Sequence, residues 1–404
     1  MVCKNCKKRI KKDTAVCPYC ATPQTETVSL GQINAAQEEG AKKKLTGKQK
    51  TKRAIIIIAS ILAALILLGV GGCVAMEIWW DNTVVAPEEF NEEELGINEE
   101  LPQGGVTNIA LFGLDARSDT DDARSDAIII LSIDRDHNKI KLSSIARDTL
   151  ANVKDYGWND NSRDDDWTKI THAFKFGGAA SAVRALNENF NLNISKYAFV
   201  NWHEFSEIID YMGGVEIDVQ SRELSYMNKH IQSMNKSSGL NISQLSSSGK
   251  QTLTGGQALA YSRLRHTDSD VKRGNRQRVV LEAVMQKAKQ QPVTKYPEMI
   301  TKVLGICNTN LSMRECLEIA TWVATKSPEF VDFALPGEDA SKYAWGGNTG
   351  TDKWGWVYIF DLDYTTALLH DFIYETENAN LDEAERLTSP RYPAHMEKVL
   401  SQDE

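Results

Sequence analysis

TNIALFGL at Thr107–Leu114, AIIILSI at Ala127–Ile133 and KIKLSSI at Lys139–Ile145 decide the fold. Each run is short and rich in apolar or β-branched residues, and the polar turn Asp134-Arg135-Asp136-His137-Asn138 separates the last two, so three strands are predicted. Sequential strands commonly pair with their neighbours. An antiparallel arrangement sends the first strand up, the second down and the third up. Asp115 ends the first, Asp126 begins the second and Arg147 follows the third, which places all three at one edge of the sheet. Two carboxylates joined by a polar loop suit a hard divalent cation such as Mg2+, which takes a few protein oxygens together with substrate phosphates. A loop of solvated Asp and Arg is the competing reading, because Asp119, Asp121 and Asp122 crowd the same stretch.

A second cluster lies downstream. Residues 263–278 hold five Arg and one Lys: Arg263, Arg265, Lys272, Arg273, Arg276 and Arg278, with Asp270 and Gln277 among them. Val271 to Lys289 has helical spacing, with Val279, Val280, Ala283 and Val284 on an apolar side. Arg273 and Gln277 are four apart and share a face near the helix start, where backbone N–H groups and the helix dipole favour an anion. Arg also recognises phosphate in a bidentate manner. The two readings are a phosphate or pyrophosphate cradle and a solvated charged face paired with Asp268 and Asp270.

The 404-residue chain carries a net charge of −9, with 42% hydrophobic and 25% charged residues. That composition is ordinary for folded domains. The charge is partitioned: residues 1–53 hold 13 Lys+Arg against 4 Asp+Glu, and the remainder holds 33 against 51. So acidic an outer part argues against nucleic acid as its ligand, because such binding draws on a basic face. Ala54 to Met76 is 23 residues without a charge, and about 20 span a bilayer. Seven Lys/Arg precede it within Lys42–Arg53, and Glu77–Gln103 holds nine acidic residues and no basic one. The positive-inside rule therefore predicts a single-pass protein of the cell membrane, with a cytoplasmic N-terminus and 328 residues outside. A cleaved signal peptide fits poorly with an apolar run that starts 53 residues in. Val70-Gly71-Gly72-Cys73 resembles a lipoprotein box only faintly.

Cys3-x2-Cys6 and Cys17-x2-Cys20 form a paired CxxC pattern suited to a tetrahedral Zn2+ site, which so short a segment needs in order to fold. Two disulfides are the alternative, disfavoured on a reducing cytosolic side. The expected organisation is a zinc ribbon over 1–20, a basic polar linker over 21–53 that can touch anionic lipid, a transmembrane helix over 54–76 and an acidic linker over 77–104. A folded domain over 105–376 and a weakly ordered tail over 377–404 follow. The ribbon's cytoplasmic partner is not identified by its sequence.

The order TNIALFGLDAR at Thr107–Arg117, Arg124-Ser125-Asp126 and SIARDT at Ser144–Thr149 resembles the LytR-CpsA-Psr family of bacterial cell-wall proteins. The likeness continues through KITHA at Lys169–Ala173, MGGVEIDV at Met212–Val219, LTGGQALAYSR at Leu253–Arg263 and RGNRQ at Arg273–Gln277, covering about 105–376. The resemblance implies an α/β fold, with a mixed central sheet carrying helices on both faces. It implies a Mg2+-dependent transferase that moves a glycopolymer, of teichoic acid or capsular type, from an undecaprenyl-pyrophosphate carrier to peptidoglycan. Carried over by position, Asp115 and Asp126 serve the metal. Asp126, Arg147, Arg124 and Asp270 serve catalysis, and Arg263, Arg265, Arg273, Gln277 and Arg117 bind the head group. Ala146 stands where the family usually has Pro and Ala123 where Gly is common; neither departure removes a charge.

Two other classes fit the same residues: a non-enzymatic sensor of polyprenyl lipids signalling through the ribbon, and a plain polyprenyl-pyrophosphate pyrophosphatase. P-loop, HExxH and GxSxG patterns are absent. Ala179–Phe190 and Phe199–Met212 offer apolar material for a lipid tunnel or for ordinary core. Cys307 and Cys316 read either as a disulfide or as buried thiols. Trp158 and Trp167 read either as sugar-stacking groups or as loop anchors.

Overall fold

The computed structural model describes residues 1–24, 92–101, 105–115, 123–154, 166–264, 270–337, 340–349 and 354–379. The expected membrane span 54–76, residues 25–53 of the basic linker, Arg117, Trp158, Arg265, the side chain of Asp270 and the tail from 380 onward lie outside the described residues. No helix among the described residues is long and apolar enough to cross a membrane. The chain divides into two units, Met1–Trp79 and Trp80–Glu404.

In the first unit two knuckles repeat at an offset of fourteen residues. Lys7 N–H donates to Cys3 O at 3.2 Å and Ala21 N–H to Cys17 O at 2.9 Å, while Val2 bridges Arg9 and Val16 bridges Pro23. Cys3 and Cys17 are buried. The hydrogen bonding runs on to Gln24, whose N–H donates to Ala15 O at 2.8 Å, so the module extends past the expected boundary at residue 20.

The second unit is built on a mixed sheet. The strands in chain order are β1 (Val106–Leu114), β2 (Ser125–Asp134), β3 (Lys139–Ile145), β4 (Leu150–Asn152), β5 (Trp167–Lys169), β6 (Lys196–Asn201), β7 (Val215–Val219), β8 (Gly249–Leu253), β9 (Asn308–Thr309), β10 (Glu329–Leu335), β11 (Ala344–Asn348) and β12 (Trp356–Phe360). The helices are α1 (Thr171–Phe190), α2 (Trp202–Tyr211), α3 (Ser221–Ser238), α4 (Gly255–Ser262), α5 (Asp270–Lys289), α6 (Tyr296–Leu304), α7 (Met313–Lys326) and α8 (Leu362–Tyr374). Six strands form the main sheet in the order β10-β3-β2-β1-β6-β9. The β1–β2 and β2–β3 pairs are antiparallel, as the three opening runs predicted, and β6 and β10 join β1 and β3 in parallel. The ends of β1, β3 and β6 and the start of β2 therefore share one edge.

AIIILSI is nearly continuous in apolar residues because β2 is covered on both faces. Ile128 and Ile130 join Phe112, Leu186 of α1 and Leu369 of α8 in one core. The opposite face packs towards a second core, in which Trp202, Ile217, Ile231, Leu259 and Val280 meet. Helices on both faces of a mixed sheet match the expected architecture.

One expectation is corrected. Residues 92–101 do not behave as a free acidic linker: Leu95 is buried in the first core and its carbonyl accepts from Asn187 Nδ2 at 2.9 Å. The helix over Ala179–Phe190 packs into that same core, the second of its two readings. Trp167 is a packed anchor, its carbonyl accepting from Trp354 Nε1 at 2.8 Å. Cys307 and Cys316 are free thiols, and burial pushes both up to about 12.

Candidate functional site

The strand edge gathers charge through a backbone irregularity. Gly113 pairs with Ala127 but Leu114 pairs with Ser125, so Asp126 is the extra residue of a β-bulge, a device that re-aims a side chain. Its carboxylate, 10% exposed, accepts from Arg147 Nη1 at 2.5 Å. Asp115 continues β1, its N–H donating to Arg124 O at 3.0 Å. Its carboxylate is 41% exposed and accepts from Arg263 Nη2 at 3.3 Å. Arg263, at the C-terminal cap of α4, also lies over the Trp202 ring at 5.4 Å.

Asp148, Lys169 and His172 join these residues, and the strand reading alone did not mark them. Asp148 accepts from Arg147 Nε at 3.3 Å and from Lys169 Nζ at 2.9 Å. The separation of twenty-one positions between Asp148 and Lys169 hides this contact in the sequence. Antiparallel pairing of β4 with β5 sets Leu150 opposite Lys169 and closes the gap. The available signal was Lys169-Ile170-Thr171-His172 at the start of α1, placing two basic side chains three residues apart. Burial pushes the Asp148 carboxyl up, but the charge of Arg147, the hydrogen bond and charge of Lys169 and the charge of Arg273 outweigh it and hold it below the usual carboxylate value. His172 is pushed down to about 4 by burial first and then by the charges of Arg124 and Lys169, so its imidazole is neutral at pH 7.

Helix α5 splits the basic cluster by function. Arg276 is buried and its Nε donates to Glu223 Oε1 of α3 at 2.9 Å. Arg278 donates through Nε to Asp332 of β10 at 2.9 Å and through Nη1 to Ser144 Oγ of β3. Both arginines tie α5 to neighbouring elements. Arg273 acts on Asp148 electrostatically and so belongs to the edge cluster.

Beside that cluster lies an apolar cavity of about 210 Å3. Its floor is Leu111, Gly113, Ala127 and Ile129 of the sheet, and its walls include Phe199, Trp202, Phe205 and Ile208, with Gln277, Leu281 and Val284 of α5. The expected segment Phe199–Met212 thus does supply cavity wall. Three neighbouring pairs join cavity and cluster: Ala127 follows Asp126, Trp202 carries Arg263, and Gln277 sits one turn after Arg273. Arg273, Gln277, Leu281 and Val284 share one face of α5, running from charge to hydrocarbon.

In the first unit the four thiols of Cys3, Cys6, Cys17 and Cys20 lie within 4.8 Å of one another. Cys3 and Cys20 Sγ are 3.6 Å apart, and Cys6 and Cys17 Sγ 3.7 Å. Four sulfurs at these separations suit a single tetrahedral soft-metal site.

Five cations (Arg124, Arg147, Lys169, Arg263 and Arg273) against three carboxylates (Asp115, Asp126 and Asp148) at the margin of an apolar cavity define an α/β domain equipped for an amphiphile with an anionic head. The chain belongs to the LytR_cpsA_psr family, whose profile matches residues 82–352. It is 26% identical over 294 residues to the polyisoprenyl-teichoic acid–peptidoglycan teichoic acid transferase TagT of Bacillus subtilis, covering 70% of this chain and 86% of that one. It is 28% identical over 282 residues to TagU of Enterococcus faecalis, a transferase of the same description, covering 67% of this chain and 83% of that one. Among solved structures, the fold matches YwtF (TagT) with bound octaprenyl pyrophosphate lipid at a TM-score of 0.50 and 22% identity, over 72% of this chain and 99% of that one.

Proposed function

We propose that the protein is a membrane-anchored phosphotransferase that moves a glycopolymer from an undecaprenyl-pyrophosphate carrier to peptidoglycan. The observation that carries this reading is the single face of α5 on which Arg273, Gln277, Leu281 and Val284 run from the cationic edge into the apolar cavity. A pyrophosphate at the edge and a polyprenyl chain in the cavity satisfy both halves at once. The relatives' transferase activity and the lipid bound by YwtF support the same assignment.

In the reaction an acceptor hydroxyl oxygen attacks the phosphorus that bears the glycan. The phosphorus–oxygen bond to the polyprenyl phosphate breaks as the new phosphodiester forms, and the acceptor hydroxyl's proton passes to a carboxylate of the edge cluster. Negative charge grows on the departing polyprenyl phosphate. Arg147, Arg263 and Arg273, already oriented by carboxylates or by burial, meet that charge without reorganisation. His172 is a poor base, because an imidazole near 4 holds little proton affinity at neutral pH.

Asp115 and Asp126 hold Mg2+ in this reading. Both are hard carboxylates at one strand edge, the donor type Mg2+ prefers, and each is paired with an arginine, Asp115 with Arg263 and Asp126 with Arg147. When bound, the ion supplies further charge neutralisation at the phosphates. The cysteine quartet holds Zn2+, the span 54–76 crosses the membrane, the ribbon faces the cytoplasm and the larger domain lies outside.

The test uses the full chain in lipid nanodiscs with a prenyl-pyrophosphate oligosaccharide, Mg2+ and peptidoglycan oligomers. Covalent glycan on the oligomer, lost in Asp126→Ala and on chelation, is the expected result. Release of prenyl phosphate and free glycan phosphate by water, without transfer to the oligomer, would establish a pyrophosphatase instead, and lipid binding without any turnover would establish a sensor.

A further inference from the structure

The hairpin β11–β12 is fastened to the edge cluster through the backbone. Tyr358 N–H donates to Asp148 O at 2.9 Å, and Tyr358 bridges Thr149 in the parallel sense. Asp148 therefore serves twice, with its carboxylate on Arg147 and Lys169 and its carbonyl on β12. Along β12 the residues alternate. Val357 and Ile359 are fully buried; on the other side Phe360 is also buried and stacks on Tyr358, which is half-buried against the core, and the face opens to solvent at Trp356, 39% exposed. The rings of Trp356 and Tyr358 lie 4.6 Å apart at 84°. Opposite them β11 places Gly346 against Tyr358. A Cβ on Gly346 would come within 2.9 Å of Tyr358 Cε1 and 3.4 Å of Trp356 Cζ2. The absent side chain lets the aromatic pair lie across bare backbone.

An exposed Trp on a strand whose other face is packed loses apolar burial unless a ligand covers it. The strand fixes both rings before any ligand arrives, which lowers the entropy cost of binding. Trp356 is two residues from Tyr358, hence about 7 Å further along the strand from the point of attachment to Asp148. Because β12 runs parallel to the chain at Thr149, Trp356 lies back towards Arg147, on the side where a phosphate held at the edge cluster would carry its first sugars.

We propose that Trp356 and Tyr358 form a platform for a pyranose ring of the glycan, stacking on the ring's C–H face beside the phosphoryl-transfer site. The proposal rests on the glycopolymer reading and adds a sugar subsite to it. Two substrates carry pyranose rings, the donor glycopolymer and the peptidoglycan acceptor, and one experiment separates them.

Full-length protein in nanodiscs is titrated by calorimetry with a soluble GlcNAc–MurNAc oligosaccharide and, separately, with a soluble teichoic-type glycopolymer. Wild type is compared with Trp356→Ala, Trp356→Phe and Gly346→Val, the last placing a branched side chain over Tyr358. Octaprenyl pyrophosphate binding is measured in parallel. The expected result is a loss of about tenfold in affinity for one of the two glycans in Trp356→Ala and Gly346→Val, which identifies the source of the sugar, with most affinity retained in Trp356→Phe. Lipid binding stays at the wild-type level. Glycan affinity unchanged in Trp356→Ala overturns the platform, and so does a variant that loses only its adsorption to anionic vesicles, which makes Trp356 a membrane contact. Because the glycan titration needs no turnover, it reads the platform even where the transferase assay fails.

Discussion

Asp126 and Arg147 meet at 2.5 Å because a bulge in β2 turns the aspartate towards the residue that follows β3. The contact joins positions twenty-one residues apart and sits on rigid strand ends, so it fixes the arginine before substrate enters. Asp126→Asn keeps the shape and removes the charge. The expected outcome is a fall in transfer rate of about 10²- to 10³-fold, with the melting temperature close to wild type, as for loss of one pre-oriented charge. Arg147→Lys keeps a charge but loses the planar fork, and the same order of loss is expected in single-turnover assays. Variants that transfer at wild-type rates would remove this pair from the site.

Neighbouring arginines of α5 have separable roles. The Arg276–Glu223 pair is 6% and 7% exposed, so deleting either partner leaves a buried charge uncompensated. Arg276→Ala is expected to cost about 3–5 kcal/mol of stability, lowering the melting temperature by on the order of 10 °C. Replacing both partners by Leu and Met should recover much of that loss. Arg273→Ala should instead weaken prenyl-pyrophosphate binding, measured by calorimetry. Equal effects of the two variants on both readouts would contradict the division.

The strand edge was legible from alternation and turn residues alone, because β1, β2 and β3 are consecutive and local pairing brings Asp115, Asp126 and Arg147 together. Arg263 and Arg273 come from over a hundred residues away, and their place at the edge was expected from charge density and the family likeness rather than from any local pattern. Which arginines of α5 face the site was not legible: Arg273, Arg276 and Arg278 look alike in sequence, and only the positions of Glu223, Asp332 and Ser144 separate them. Lys169 and Asp148 were hidden because short strands β4 and β5 close a long intervening segment. Apolar composition left Ala179–Phe190 and Phe199–Met212 open between cavity wall and core; the first packs in core and the second lines the cavity because they cover different faces of the sheet.

Val284 lines the cavity from α5. Val284→Trp adds volume where the cavity offers about 210 Å3, so the ring can be accommodated without overpacking the surrounding core. The expected result is at least a tenfold loss of octaprenyl pyrophosphate affinity at an unchanged or higher melting temperature, read by calorimetry and thermal unfolding. Retained lipid affinity would place the prenyl chain elsewhere.

Acid sensitivity follows from His172. Its folded value of about 4 lies below the ordinary 6.5, so the unfolded chain binds the extra proton first as pH falls. Stability from this group is complete above about 6.5 and is lost between there and about 4. His370, also held down chiefly by burial, acts in the same direction, while the depressed Asp148 acts below the usual carboxylate range. Thermal unfolding from pH 7 to 4 should therefore show a shallower decline in His172→Gln than in wild type. Parallel curves would mean that His172 titrates alike in both states.

The cysteine quartet gives a prediction independent of transfer. A segment of some two dozen residues has too little apolar surface to fold by burial alone, and here the two knuckles are joined chiefly through the sulfurs and Gln24. Metal binding would then be its folding energy. The full chain should release one equivalent of Zn2+ to a chromogenic chelator after thiol modification, and amide exchange over residues 1–24 should then accelerate. Cys3→Ser should abolish stoichiometric Zn2+ while leaving prenyl-pyrophosphate binding intact, because its own unit contains none of the edge-cluster residues. A metal-free preparation with wild-type exchange protection over the knuckles would show that the hydrogen bonds alone hold them, and that the four thiols serve another purpose.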